Sequence, residues 1–135
     1  MRDPDAAVTD THPLVYHAAG GRRLGARAAR MFERCESGAA LLYVPAVVMW
    51  ETSVLARAGR ITIRQGVREF FEDLFSNPSY QPLDVVPDHV YAADLLSFTR
   101  DPFDALVVAA AKALGLPLVT RDAAIQDAGG IKTIW

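Results

Sequence analysis

A single cysteine, Cys35, stands in the chain, which excludes an internal disulfide and any cysteine-built metal finger. It reads instead as a small buried apolar residue. Long hydrophobic runs are missing too, because Asp, Arg, Glu or Pro interrupts each apolar stretch short of the roughly 20 residues a membrane helix needs. Met1-Arg2-Asp3-Pro4-Asp5 lacks the apolar region of a secretory signal, so the expected location is the cytoplasm. Positive charge is not in excess: the formal net charge is −2, so a phosphate backbone would have to be met by a local patch and not by the overall field. The sequence contains no internal repeat, low-complexity segment or linker.

What is present is an ordinary globular composition, 51% hydrophobic and 22% charged over 135 residues, enough for one core and one domain over residues 1–135. The chain is organised around residues 100–122. Asp101 before Pro102 is a helix start, since aspartate accepts the free N–H groups of the first turn and proline lacks one. Gly115 is the stop. Between them nearly every residue is apolar, so this helix should lie inside, and Leu116-Pro117-Leu118-Val119 reads as a strand covered on both faces.

The remaining chain alternates in the same way. Strands are expected at Ala6 to Thr9, Ala40 to Val44, Tyr80 to Leu83 (weakened by Pro82 and so at an edge) and Ile131 to Trp135. Helices are expected at Leu14 to Ala18, Leu24 to Glu36, Ala46 to Ala58, Ile61 to Phe75 and Pro87 to Leu96, with one turn after Asp122. The alternation predicts a mostly parallel sheet between helical layers, a three-layer α/β/α sandwich.

In such a sheet, acids just past the strands share one edge, where α/β folds build their sites. Asp10, Asp101, Asp104 and Asp122 are so placed. Each also has a structural reading, as a helix cap or an answer to the helix dipole. Glu51 tips the balance, because stepping its helix at about 100° per residue sets it between Val47 and Leu55 on an apolar face, opposite Thr52, Ser53, Ala56 and Arg57. A carboxylate there needs a cation or the mouth of a cleft. Converging carboxylates stay ionised only around a cation, and oxygen donors alone favour a hard dication, Mg²⁺ or Mn²⁺. Such ions activate water and steady the oxygens of an in-line displacement at phosphorus.

Asp10-Thr11-His12, Trp50-Glu51, Asp101-Pro102-Phe103-Asp104-Ala105-Leu106 and Leu118-Val119-Thr120-Arg121-Asp122 resemble the four acidic motifs of the PIN domain, and more narrowly those of VapC-type ribonuclease toxins. The resemblance runs from about Val8 to Trp135. It implies Mg²⁺- or Mn²⁺-dependent endonucleolytic cleavage of RNA, a homodimer, and inhibition by a small antitoxin that lays a peptide over the active-site groove. By motif, Asp10, Glu51, Asp104 and Asp122 match the four catalytic and metal-binding acids, with Asp101 an additional aspartate and Thr11 and Thr120 auxiliary hydroxyls. The basic residue that many relatives carry directly after the third acid is replaced here by Ala105.

Arg100, Arg121 and His12 are the candidates for RNA contact, each close in sequence to an acid. The stripe Arg23, Arg27, Arg30 and Arg34 reads either as a phosphate grip or as a solvated helix face. Trp50, Met49, Phe70, Phe71 and Phe75 read as core or dimer interface. Two other functions compete: a phosphoacceptor receiver built on Asp10, Asp84, Thr120 and Lys132, and a catalytically silent PIN fold that only binds. The first leaves Glu51 without a purpose, and the second leaves all four acids so.

Overall fold

The computed structural model describes residues 3–96, 99, 101–128 and 130–135, so the RNA-contact candidate Arg100 lies outside the described residues. Strand β1 (Ala6–Thr9) leads to α1 (Thr11–Ala18) and α2 (Ala26–Glu36), then β2 (Leu41–Pro45), α3 (Ala46–Arg57) and α4 (Val67–Phe75). There follow β3 (Tyr80–Leu83), α5 (Pro87–Asp94), α6 (Pro102–Leu114), β4 (Leu118–Val119), α7 (Ala123–Ala128) and β5 (Thr133–Ile134). The strands form one sheet in the order β3-β2-β1-β4-β5, and every neighbouring pair is parallel. Helices flank it in an α/β/α sandwich. Pro82 does sit on an edge strand, where its missing N–H costs no ladder bond on the open side.

The centre of the sheet is the centre of the core. Ala7 and Val8 of β1, Leu42 and Val44 of β2 and Leu118 and Val119 of β4 are fully buried. Val107 to Ala111 of α6 cover them, as an apolar helix should. Phe32, Met31 and Cys35 close the core from α2, and Phe71 from α4.

Several boundaries depart from expectation for physical reasons. Strand β4 starts at Leu118 and not Leu116, because the Leu116 N–H is spent on the carbonyl of Ala111, closing the end of α6 around Gly115 in the left-handed conformation (φ 65°). Helix α1 begins at Thr11, directly under the Asp10 cap, and not at Leu14. Helix α4 begins at Val67: the chain through Ile61 to Gln65 alternates partly buried and exposed residues, a period of two that no helix has. Helix α3 turns a different face inward from the one expected. Its buried residues are Val48, Thr52 and Ser53, with the Thr52 hydroxyl donating to the carbonyl of Val48 at 2.8 Å, whereas Val47, Glu51 and Leu55 are half-buried. Glu51 is therefore not in the middle of the buried face. It stands at its border, and that places it on a cleft.

Candidate active site

Because all five strands run the same way, everything just past a strand lands on one edge of the sheet. Asp10 follows β1 and Thr120 follows β4, its neighbour in the sheet; the Thr120 hydroxyl donates to Asp10 Oδ2 at 2.9 Å. The other Asp10 oxygen accepts the backbone N–H of Thr11 at 2.8 Å, which caps α1 and fixes the carboxylate. The Thr11 hydroxyl in turn donates to Glu51 Oε1, tying α1 to α3.

Helix α6 brings two more acids. Asp101 caps it, accepting the N–H groups of Phe103 at 2.8 Å and Asp104 at 3.3 Å. That leaves Asp104 one turn in, half-buried, with no hydrogen-bond partner for its carboxylate among the described residues. Asp122 is exposed, caps the next segment through the Ala124 N–H at 2.9 Å, and donates its own N–H to the Thr120 hydroxyl at 3.2 Å. Asp10, Glu51, Asp101, Asp104 and Asp122 line one pocket of about 200 Å³, with Thr120, Arg121, His12, Pro13, Tyr16 and Trp135. Cap and pocket are thus not rival roles: the turn that caps each helix also aims its acid.

The electrostatics follow from this crowding. Burial is the largest cause raising the Asp104 carboxyl from its ordinary value of 3.8 to about 7, and the charges of Asp10, Asp101, Asp122 and Glu51 push the same way. Burial also raises Asp10, against the hydrogen bonds from Thr11 and Thr120, and raises Glu51, against the bond from Thr11. Among the described residues, no three His, Cys, Asp or Glu side chains form a ready-made cage for an ion. The donor set nevertheless fits a hard dication. The carboxylates are pooled in one pocket, and that of Asp104 has no hydrogen-bond or ion-pair partner among the described residues.

Of the residues singled out by sequence, Asp10, Glu51, Asp101, Asp104, Asp122, Thr120, Arg121 and His12 line this pocket, and Thr11 touches it through Glu51. Asp84 and Lys132 do not, so the receiver arrangement is not assembled. Lys132 lies at the opposite edge of the sheet, in a pocket of about 570 Å³ with Arg27 and Lys112. The arginine stripe divides: Arg30 pairs with Asp3 at 3.5 Å, Arg34 with Asp5 at 2.9 Å, and Arg23 lies over the Tyr16 ring. Tyr16 and Trp135 were not anticipated. The sequence reading placed Trp135 inside the last strand, whereas β5 ends at Ile134 and leaves Trp135 just past it, on the same edge as Asp10.

A parallel α/β sandwich with its acids pooled outside the ends of the central strands is the architecture in hand. The PIN domain family matches residues 7–131, and the chain belongs to that family. Among solved structures it is similar to a toxin–antitoxin complex from Klebsiella pneumoniae, with a TM-score of 0.60 and 20% identity over 93% of this chain and 92% of that one. It is similar also to VapBC2 from Rickettsia felis bound to a promoter DNA fragment (TM-score 0.67, 12% identity, 95% and 96% covered). A third is FitAcB from Neisseria gonorrhoeae (0.65, 16%, 94% and 95%). At these identities the likeness is one of fold. No curated protein matches the chain.

Proposed function

We propose that this chain is a Mg²⁺- or Mn²⁺-dependent endoribonuclease, the toxin of a toxin–antitoxin pair, acting in the cytoplasm as one PIN domain over residues 1–135. The observation that carries the reading is Asp104, a half-buried carboxylate without a hydrogen-bond or ion-pair partner among the described residues, facing four other acids. Such a charge is costly to hold in place for structure alone. A bound dication would offset that repulsion and supply an activated water and a counter-charge for the phosphate.

Asp10, Glu51, Asp104 and Asp122 are the ligands in this reading, and Asp101 serves as cap and outer acid. Thr11 and Thr120 hold the Glu51 and Asp10 carboxylates in place, while Arg121 and His12 meet the RNA at the pocket mouth. The toxin assignment draws support from the neighbours, which come from complexes described as toxin–antitoxin or as VapBC2. The partner would be a small antitoxin laid over the pocket. Self-association is supported by the exposed apolar residues Val86, Val90, Tyr91 and Leu95 on and beside α5.

The test is cleavage of total RNA with Mn²⁺ present, by wild type and by Asp104→Asn. Loss of cleavage in the variant by more than about a hundredfold is expected, because even the partners of metal ligands are worth about 10–100-fold. Equal cleavage by both proteins would refute the assignment.

A further inference from the structure

Arg121 is the one arginine or lysine among the described residues that line the acidic pocket. Five carboxylates share that pocket, and Arg121 is next in sequence to one of them, yet it makes no ion pair with any acid among the described residues. Its guanidinium lies instead 6.0 Å from the ring centroid of Tyr16 and 6.0 Å from that of Trp135. The two rings meet edge to face at 6.4 Å, and His12 leans on Tyr16 at 6.0 Å. A guanidinium is drawn to aromatic faces and keeps its N–H donors free at the plane's edge when so held.

The indole is itself seated by a close backbone approach. A Cβ placed on Gly25 would stand 2.5 Å from the Trp135 carbonyl carbon and 2.7 Å from Cδ1 of its ring. Gly25 has an ordinary φ of −66°, so what it provides is room, not an unusual backbone angle. The Trp135 carbonyl accepts the N–H of Arg27 at 3.1 Å, pinning the residue to the start of α2.

We infer that Tyr16 and Trp135 form an aromatic clamp that holds Arg121 at the mouth of the acidic pocket as the group that grips a phosphate of the RNA strand being cut. The inference rests on the nuclease reading of the pocket and adds two positioning residues to it. The clamp has two effects. It keeps the guanidinium from folding onto the carboxylates and taking the place of a dication, and it presents the donors to the substrate. Arg23, 5.6 Å from the Tyr16 centroid, extends the same cationic rim away from the pocket.

The experiment measures KM and kcat for a single-stranded oligoribonucleotide with Mg²⁺, and the anisotropy of the same fluorescein-labelled strand bound to Asp104→Asn protein across a salt series. Arg121→Ala is expected to raise KM about tenfold, the scale of a charge-assisted hydrogen bond. It should also flatten the salt dependence by about one phosphate, a slope change of roughly 0.7 for single strands. Tyr16→Leu with Trp135→Leu should raise KM about fivefold with kcat little changed, whereas Tyr16→Phe and Trp135→Phe, which keep the ring faces, should restore it. Gly25→Ala, which moves the indole while leaving both aromatic residues in place, should raise KM in the same direction. Wild-type KM and salt slope in the leucine double variant, or phenylalanine variants as impaired as the leucine ones, would overturn the clamp alone. A wild-type protein that neither binds nor cuts the strand overturns the nuclease reading and the clamp with it.

Discussion

Thr120 is fully enclosed and serves two aspartates at once, donating to Asp10 Oδ2 and accepting from the Asp122 N–H. Replacing it with valine keeps the volume and strands a buried carboxylate oxygen, so Thr120→Val should cost about 1–3 kcal/mol of folding stability. Urea denaturation of the metal-free protein measures this, and an unchanged midpoint would show that Asp10 finds another donor. At this scale the sequence offered a roster without a ranking. Asp10, Asp101 and Asp122 could each be read as caps and Asp104 as answering the helix dipole, and all but Asp104 do accept a neighbouring backbone N–H. What distinguishes Asp104 is the company of acids from other elements, and separation along the chain does not reveal that. Thr11 was visible only through the resemblance, and Thr120 otherwise only as a part of the receiver scheme, because a hydroxyl beside an acid has no pattern of its own.

Helix α6 was legible at both ends. Asp101 and Pro102 start it and Gly115 stops it, each by a local rule. Gly115 lies at φ 65° with nothing within 4 Å of where a Cβ would point, so the penalty for Gly115→Ala is conformational and not steric. It should amount to about 1–2 kcal/mol, read as a lowered melting temperature with RNA cleavage intact. Helix α3 was misread, because its apolar residues surround it and the choice of inward face fell to tertiary contacts. Those contacts chose Val48, Thr52 and Ser53; the Thr52 hydroxyl meets the burial by donating within its own helix, to the Val48 carbonyl. The short strands β4 and β5 were overestimated in length for a related reason. Apolar character marks what is buried, while hydrogen-bond partners decide what is strand.

For the molecule as a whole, the pooled acids make stability depend on pH and on metal. The carboxyls of Asp10, Glu51 and Asp104 are all raised on folding, so the folded state holds protons that the unfolded chain has already released. The Asp104 contribution is therefore fully present below about pH 4 and is lost as pH rises through about 7, and those of Asp10 and Glu51 are likewise lost as pH rises. Without metal, wild type should lose melting temperature relative to Asp104→Asn between pH 5 and pH 8, and Mn²⁺ should raise the wild-type melting temperature more at pH 8 than at pH 5. Parallel melting curves for the two proteins across that range test both expectations. Fold class and parallel sheet were evident from the alternation of elements, but the exposed apolar patch on and beside α5 was not. Tyr91 and Leu95 are 67% and 82% exposed; if the proposed self-association uses them, wild type should run as a dimer in light scattering and a Tyr91→Glu, Leu95→Glu protein as a monomer.

The hydroxyl-to-carboxylate bond from Thr120 to Asp10 joins positions 110 apart. A growing polypeptide still short of β4 has the first acid but neither the hydroxyl that steadies it nor Asp122. On the proposed nuclease reading, the pocket is complete only once this late segment has emerged and docked beside β1, so cutting would be withheld during synthesis until then.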